Sequence, residues 1–587
     1  MSLPAPRPDL SSPEGDLGAV LRRRAQETPQ KQVYGFLRDG VNEADRLTYA
    51  QLDASARAVA AGLQDRFRPG SRMLMLYPPG LEFAAAFFGC LYAGMIAVPA
   101  YPPRKNQLDG RLLGIVKDCG PAAVLTVAEV APGVEAMVNQ LAPGAMAVIA
   151  TDAIGPEATD AWREVPLPPE AIAFLQYTSG STAAPKGVMV SHGNIMHNER
   201  AILDSMEHDS SLVGVSWLPV FHDMGLLGNL LQPVYVGGAT YQIPPLAFLK
   251  RPLAWIEAIS RYRGTTCGGP NFAYDLCAQA AAAADGGLDL DLSRWQVAYV
   301  GAEPVRAGTL QRFAKAFERY GFRKEAFFPC YGLAEVTLIA TGGPRPRQPE
   351  IVRVDGGALA ENRIQTRRLP GPGSRQLVGC GRAATDLEVL VVEPESGSVC
   401  ADSQIGEIWV GGESVARGYF NNPTGSVETF GARTDEGRGP FMRTGDLGFL
   451  RGGELFITGR LKDLIVIRGR NYYPNDVELS VEEAHEGIAP NGTAAFAVDD
   501  GEQEKLVVAA EVSRSFFHRL KSEADGELAG RILGAVRDRV ALDHELQLHD
   551  LVMVKPGGIP RTSSGKIRRA ESRELYLAGR LEILGAD

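Results

Sequence analysis

The chain runs to 587 residues, of which 45% are hydrophobic and 22% charged, with a formal net charge of −10 at pH 7. That length is more than one hydrophobic core sustains, so two or more domains are expected, and the composition is that of an ordinary soluble globular protein. The acidic balance disfavours nucleic acid or an anionic membrane as a main partner.

Met1 to Asp16 is rich in Pro and Ser and carries acidic residues, unlike the basic and then apolar start of a secretory signal. Ala54 to Leu63 is expected as a helix and Arg72 to Leu76 as a strand. Phe83 to Ala100 is long enough to raise the question of a membrane span. It is rich in Ala and Gly, follows Glu82 and contains Pro99, so it reads as a buried helix to about Tyr92 and then a strand from Met95 to Val98. Leu112 to Lys117 as helix and Ala122 to Thr126 as strand continue an alternation that argues for α/β layers around largely parallel sheets. Ala171 to Gln176 is a further short apolar strand, Ala278 to Asp285 an alanine-rich helix stopped at Gly286-Gly287, and Val297 to Val300 a strand.

Arg345 to Leu377 is too long and too rich in Pro, Gly and Arg for an ordinary strand connection. Its apolar Ile351, Val352, Val354, Leu359, Ile364 and Leu369 give it a face to bury. From Val378 the texture turns to short β-rich pieces (Leu387 to Val392, Gly406 to Val410, Leu455 to Thr458), which fits a small β-subdomain. Residues 462–587 read as an α+β unit of normal domain size. The cysteines, among them Cys90, Cys267, Cys277, Cys330, Cys380 and Cys400, are scattered with no CxxC spacing. Neither a zinc site nor a disulfide framework is suggested, and a reducing, cytoplasmic compartment fits.

Between the Ala171 strand and Val188-Met-Val-Ser191-His192 lies Tyr177-Thr-Ser-Gly-Ser-Thr-Ala-Ala-Pro-Lys186-Gly187. Gly180 and Gly187 permit close or left-handed backbone, and the hydroxyls of Thr178, Ser179, Ser181 and Thr182 crowd the bend with Lys186. N–H and hydroxyl donors plus one ammonium suit a polyphosphate. A Walker A loop needs Gly-Lys-Ser/Thr opening a helix; here Pro185 precedes Lys186 and Gly187 follows it, so that reading fails.

The loop resembles the phosphate loop of the adenylate-forming superfamily of acyl-CoA synthetases, adenylation domains and luciferases, and the family's other motifs follow in order. Tyr331-Gly332-Leu333-Ala334-Glu335 is similar to the motif that holds adenine and Mg²⁺, and Arg443-Thr-Gly-Asp446-Leu-Gly to the ribose motif. Thr458-Gly-Arg460-Leu-Lys462-Asp463 resembles the interdomain hinge, and Pro560-Arg-Thr-Ser-Ser-Gly-Lys566-Ile the mobile catalytic lysine. The resemblance implies a large N-terminal domain over 1–461, built of two α/β layered subdomains and a small β-subdomain, with a mobile α+β domain over 462–587. It implies that a carboxylate is joined to ATP as an acyl-adenylate, with Mg²⁺ on Glu335. Thr178, Ser179, Gly180, Ser181, Thr182 and Lys186 would sit on the phosphates and Gly301, Ala302 and Glu303 beside the base that Tyr331 stacks on. Asp446 and Arg460 would hold the ribose, Lys566 bridge carboxylate and α-phosphate, and Lys462 turn as the hinge. Many relatives place Thr before the glutamate; here it is Ala334, and Thr337 is a candidate substitute. His222, in Trp217-Leu-Pro219-Val-Phe221-His222-Asp223-Met224-Gly225, would position the substrate, since a carboxylate is already ionised and needs no base.

Within the superfamily, Ala97-Val-Pro-Ala-Tyr101-Pro-Pro103, the His222-Asp223-Met224-Gly225 form, Gly269-Pro270-Asn271-Phe272-Ala273-Tyr274 and Arg468-Gly-Arg470-Asn471-Tyr472-Tyr473-Pro474 are similar to the fatty acyl-AMP ligases. The place of Arg345 to Leu377 matches that branch's insertion, which implies a C-terminal domain restrained from using CoA and an acyl group passed to an acyl carrier protein in trans. The net charge means that such docking needs a local basic patch. An acyl-CoA ligase is the alternative, and a non-catalytic acyl-adenylate-binding module a third reading disfavoured by the presence of Lys186, Glu335, Asp446, Arg460 and Lys566. Acyl-pocket depth is expected to depend on Phe272 and the Gly237-Gly238 turn.

Overall fold

The computed structural model describes residues 15–101, 110–141, 146–178, 185–284, 287–371, 373–467, 470–499, 504–522, 527–562 and 565–584. Two largely parallel sheets organise the chain from Gln32 to Pro329. In one, strands Ala147–Ala150, Ala123–Thr126, Arg72–Met75, Ile96–Pro99 and Ile172–Thr178 lie side by side in parallel, and Lys186–Ser191 folds back antiparallel on Ile172–Thr178. In the other, Phe327–Pro329, Val297–Val300, Thr266–Gly269, Val213–Ser216, Ala239–Gln242 and Gln32–Phe36 are parallel, closed by an antiparallel edge at Asp45–Thr48. Helices cover both sheets, as parallel strands require of their crossovers.

The expected elements form with modest changes of extent. Ala54 to Leu63 lies within helix Tyr49–Gln64, started by a capping box in which Thr48 and Gln51 satisfy each other's backbone N–H groups. The Phe83 segment is helix Glu82–Tyr92, buried all round, followed by strand Ile96–Pro99. No helix among the described residues is long and apolar enough to cross a membrane. The alanine-rich helix begins earlier than its composition suggests, at Asn271, and runs to Ala283; Asp285 and Gly286 lie outside the described residues.

Past residue 378, Glu388–Val392, Gly406–Gly411, Met442–Arg451 and Glu454–Arg460 make a four-stranded antiparallel sheet. The C-terminal unit packs strands Ile488–Asp499, Glu504–Val512 and Leu548–Val554 with helices Pro474–Ala484 and Glu527–His544. It has its own core of Val477, Val481, Val508, Ile532 and Val536.

The Arg345 to Leu377 stretch is ordered into a β-hairpin of its own. Ile351–Asp355 pairs antiparallel with Ser374–Val378, and helix Gly356–Ala360 sits between them, capped by Asp355 on the Ala358 N–H at 2.8 Å. Strand alternation sends Val352 and Val354 inward, where with Leu359 they join Phe449 and Phe456 of the four-stranded sheet and Tyr473 in one buried cluster, with Ile364 packed against it. One expectation is corrected here. Ile351 and Leu369 lie outside the buried face, Ile351 because it points opposite to Val352 and Leu369 because it is 78% exposed. The apolar face seats both on Phe449 and Phe456 of the β-sheet and on Tyr473 of the C-terminal unit, and polar groups add to the contact with that unit. Arg375 Nη2 donates to the Asp543 carbonyl at 3.2 Å and to His544 Nε2 at 2.8 Å, and Asn471 Nδ2 to Asn362 Oδ1 at 3.3 Å. Burial, reinforced by the Arg375 charge, pushes His544 down to about 3, so its neutral ring can accept from the guanidinium.

Candidate active site

Parallel strands of an α/β sheet leave a crevice outside their carboxyl ends. Here the end of strand Ile172–Thr178 and the turns that follow Val213–Ser216, Thr266–Gly269, Val297–Val300 and Phe327–Pro329 all face one cavity of about 1120 Å³. Its remaining walls come from the Asp446–Arg460 end of the four-stranded sheet and from the Lys566 loop of the C-terminal unit.

Asp446 and Arg460 are register partners on adjacent strands, which sets the Arg460 Nε to Asp446 Oδ1 bond at 3.1 Å. Tyr331 donates its hydroxyl to Asp446 Oδ2 at 2.7 Å. A carboxylate offers about four acceptor positions, so each oxygen of Asp446 keeps room for one more donor. The Gly301 to Pro304 turn lines the same wall, with Ala302 at φ +71°. It is held by Asn271, which is fully buried at the start of its helix: Glu303 Oε1 accepts from the Asn271 backbone and side-chain N–H groups at 3.0 Å, and Asn271 Nδ2 donates to the Pro304 carbonyl at 2.9 Å.

Glu335 sits on the short turn Ala334–Val336 and accepts from the Tyr419 hydroxyl at 2.9 Å. Burial pushes its carboxyl up, and the Tyr419 bond offsets part of that. The Lys186 ammonium lies 4.7 Å from the centre of the same Tyr419 ring, so one tyrosine spaces the cation and the carboxylate. Lys186 and Thr178 are register partners at the base of the phosphate loop; Ser179, Gly180, Ser181 and Thr182 lie outside the described residues. Of the remaining motif positions, Gly332, Leu333 and Ala334 line the cavity. Thr337 does not replace the missing threonine: it is fully buried at φ +66° and donates its hydroxyl to the Ser414 carbonyl at 2.7 Å.

His222 Nδ1 is 2.6 Å from Asp223 Oδ1, while the Met224 N–H is 2.7 Å from that oxygen and 3.4 Å from the ring nitrogen. The shorter contacts assign the Met224 proton to the carboxylate and an Nδ1–H donor to His222, a residue that lines the cavity. Burial raises the Asp223 carboxyl, but His222, the Lys566 charge and the Met224 N–H outweigh it and hold it below the usual range. The Lys566 charge is thus felt at the His222–Asp223 pair. Its loop is shaped by Thr562, whose hydroxyl accepts from the Lys566 N–H at 3.0 Å, and by Gly565 at φ +86°; Ser563 and Ser564 are outside the described residues. Lys462 is exposed on the turn Leu461–Asp463, between the four-stranded sheet and the C-terminal unit.

Trp217, Phe221, Phe272 and Leu276 give the cavity an apolar side, Trp217 stacking on Phe248 at 4.2 Å and meeting Phe272 edge-on at 5.6 Å. The Gly237-Gly238 turn is not part of it. Gly237 ends helix Gln232–Val236 beneath Arg24, and only Phe272 of the two expected depth determinants lines the cavity.

Several positioning residues carry no strong local signal. Asn198, fully buried on helix His192–Met206, accepts from the Ile339 N–H at 3.1 Å and donates to the Ile339 and Val336 carbonyls at 2.9 and 3.2 Å, fixing the segment that carries Glu335. Asn194 and Asn198 at i, i+4 beside Ile195, Ala201 and Ile202 was the available clue. Asn198→Ala strands those backbone groups and is expected to lower stability by about 2 kcal/mol, read from the shift of the urea midpoint.

Residues 21–420 match the family described as AMP-binding enzyme, and residues 462–586 match the Disco-interacting protein 2-like AMP domain. The chain is 40% identical to the medium-chain-fatty-acid–[acyl-carrier-protein] ligase JamA of Moorena producens over 98% of this chain and 97% of that one. It is 37% identical to the long-chain-fatty-acid–AMP ligase FadD32 of Mycolicibacterium smegmatis, over 97% and 96%. Among solved structures, the fatty acyl-adenylate ligase of L. pneumophila in complex with acyl adenylate and pyrophosphate superposes with a TM-score of 0.74 at 38% identity, covering 97% of each chain.

Proposed function

Because the chain belongs to the AMP-binding enzyme family, we propose that it activates a fatty acid with ATP to an acyl-adenylate and pyrophosphate, then passes the acyl group to the phosphopantetheine thiol of an acyl carrier protein acting in trans. One observation carries the reading. A single cavity joins an apolar side of Trp217, Phe221, Phe272 and Leu276 to a polar side of Tyr331, Glu335, Asp446 and Arg460, with His222 and Lys566 on its wall.

In the first step a carboxylate oxygen bonds to the α-phosphorus as the bond to the pyrophosphate oxygen breaks. Two anions must meet, so the protein's contribution is charge compensation and alignment. Lys566 donates to the carboxylate and the α-phosphate together. His222 orients the carboxylate through Nε2, its ring held by Asp223. Thr178 and Lys186, with Ser179, Gly180, Ser181 and Thr182 between them, take the β- and γ-phosphates. Adenine lies between the Tyr331 face and the Gly301–Glu303 turn, and the ribose hydroxyls donate to the open acceptor positions of Asp446 with Arg460 alongside. Glu335 fits Mg²⁺: one oxygen is held by Tyr419, the carboxylate lines the cavity, and a hard dication is completed by phosphate oxygens and water rather than by an all-protein cage. When bound, the ion would offset phosphate charge.

For the second step, residues 462–587 would turn as a body about Lys462, withdrawing Lys566 from the 1–461 domain and admitting the carrier's thiol. The cytoplasm suits the seven free cysteines.

Fatty-acid-dependent exchange of labelled pyrophosphate into ATP tests the reading, with chain lengths graded from short to long. No exchange from folded protein at any length overturns it. Asp446→Ala is expected to raise the KM for ATP about tenfold with a smaller change in kcat, because a charge-assisted bond made in both ground and transition states is lost.

A further inference from the structure

The cavity wall contains a buried ion pair that no motif above assigns. Arg306 begins helix Ala307–Phe317 in the large domain, and its Nη1 donates to Glu482 Oε2 of the C-terminal unit at 2.9 Å, with both side chains largely shielded from water. Both residues line the active cavity.

Each partner is tied to a different half of the chemistry. On the large-domain side, the Arg306 N–H donates to Asn271 Oδ1 at 3.0 Å, and Asn271 is the residue that clamps the Gly301–Pro304 turn. On the other side, Glu482 Oε1 accepts from Thr493 Oγ1 at 2.8 Å and lies one helical turn after Glu478 on helix Pro474–Ala484. Glu478 receives Arg569 Nε and Nη2 at 2.6 and 2.7 Å, and Arg569 Nη1 also donates to Asp463 beside the hinge at 3.1 Å. Arg569 follows Lys566 by three residues. With Thr493 Oγ1 also 3.4 Å from the Glu478 carbonyl, a set of contacts runs from the Gly301–Pro304 turn through Arg306 and Glu482 to the base of the Lys566 loop.

We propose that Arg306 and Glu482 are positioning residues for adenylation: their ion pair docks the C-terminal unit in the one orientation that brings Lys566 to the reacting carboxylate, and it must open before the acyl group is transferred. The inference rests on the two-step reading above. A rotation about Lys462 moves Glu482 with the C-terminal body and leaves Arg306 behind, so the pair belongs to the first step alone. Its burial makes it directional, because a lone buried charge is costly on either side.

The test measures both half-reactions on the full-length protein: acyl-AMP formation from fatty acid and ATP, and transfer from supplied acyl-AMP to a holo-carrier. Arg306→Ala and Glu482→Gln are each expected to lower acyl-AMP formation about 30-fold or more through kcat, with transfer changed less than about twofold. The double reversal Arg306→Glu with Glu482→Arg should recover about tenfold of the loss, which neither single reversal does. Melting temperatures within a few degrees of wild type separate misplacement from unfolding. If Arg306→Ala alone lowers the rate and Glu482→Gln does not, Arg306 touches the nucleotide directly and the inference falls. Equal loss in both half-reactions, or no rescue by the double reversal, also overturns it. A wild-type protein that forms no acyl-AMP would instead refute the underlying two-step reading.

Discussion

Lys566→Ala is expected to lower acyl-AMP formation by about two to three powers of ten, the scale for removing one oriented charge donor from a developing anion. Lys566 is exposed on its loop, so its removal leaves no buried partner unsatisfied and the fold should be unchanged. Transfer from supplied acyl-AMP should proceed at close to the wild-type rate, because the proposed turn about Lys462 takes the loop out of the cavity for that step. Separate assays of the two half-reactions decide it, and an equal fall in both would mean that the C-terminal unit does not alternate between them. The loss should exceed that of Arg306→Ala, since one change removes the reacting charge and the other only its alignment.

The second large effect is a gain. Arg375 fastens the Ile351–Val378 hairpin to the C-terminal unit through the Asp543 carbonyl and His544, with Asp476 3.8 Å away. Arg375→Ala removes these bonds, together about 2–3 kcal/mol. On the reading that this contact holds the unit back from CoA, acyl-CoA formation is expected to rise by one to two powers of ten while acyl-AMP formation stays intact. Shortening the whole insertion would be a poorer experiment. Val352, Val354 and Leu359 cover Phe449 and Phe456, and removing them would expose the core of the four-stranded sheet. Product analysis with CoA and with holo-carrier reads the outcome. Efficient acyl-CoA synthesis by the wild-type protein would refute the restraint, and an Arg375→Ala protein that still makes none would place it elsewhere.

Much of this protein is written locally. The alternation of short apolar runs with helical periods gives two parallel layers, because a strand buried on both faces must be apolar throughout and its crossover must be a helix. The phosphate loop, the Tyr331–Glu335 turn, the Asp446 and Arg460 strands and the Lys566 loop are contiguous segments whose residue types and order suffice to mark them. What joins them is not local. Tyr419 reaches Glu335 from 84 residues away, Asn198 holds Ile339 from 141, and Arg306 meets Glu482 from 176, and nothing in a sequence window reports a partner at such separations. The insertion shows the same division: its apolar residues announced a buried face, but what that face met depended on where packing placed Phe449, Phe456 and Tyr473. Thr337 likewise had the right chemistry for a phosphate contact, and the left-handed turn at that residue spends its hydroxyl on Ser414. Residue chemistry and local period therefore settled which groups are present, and packing across distant segments settled which of them face the same cavity.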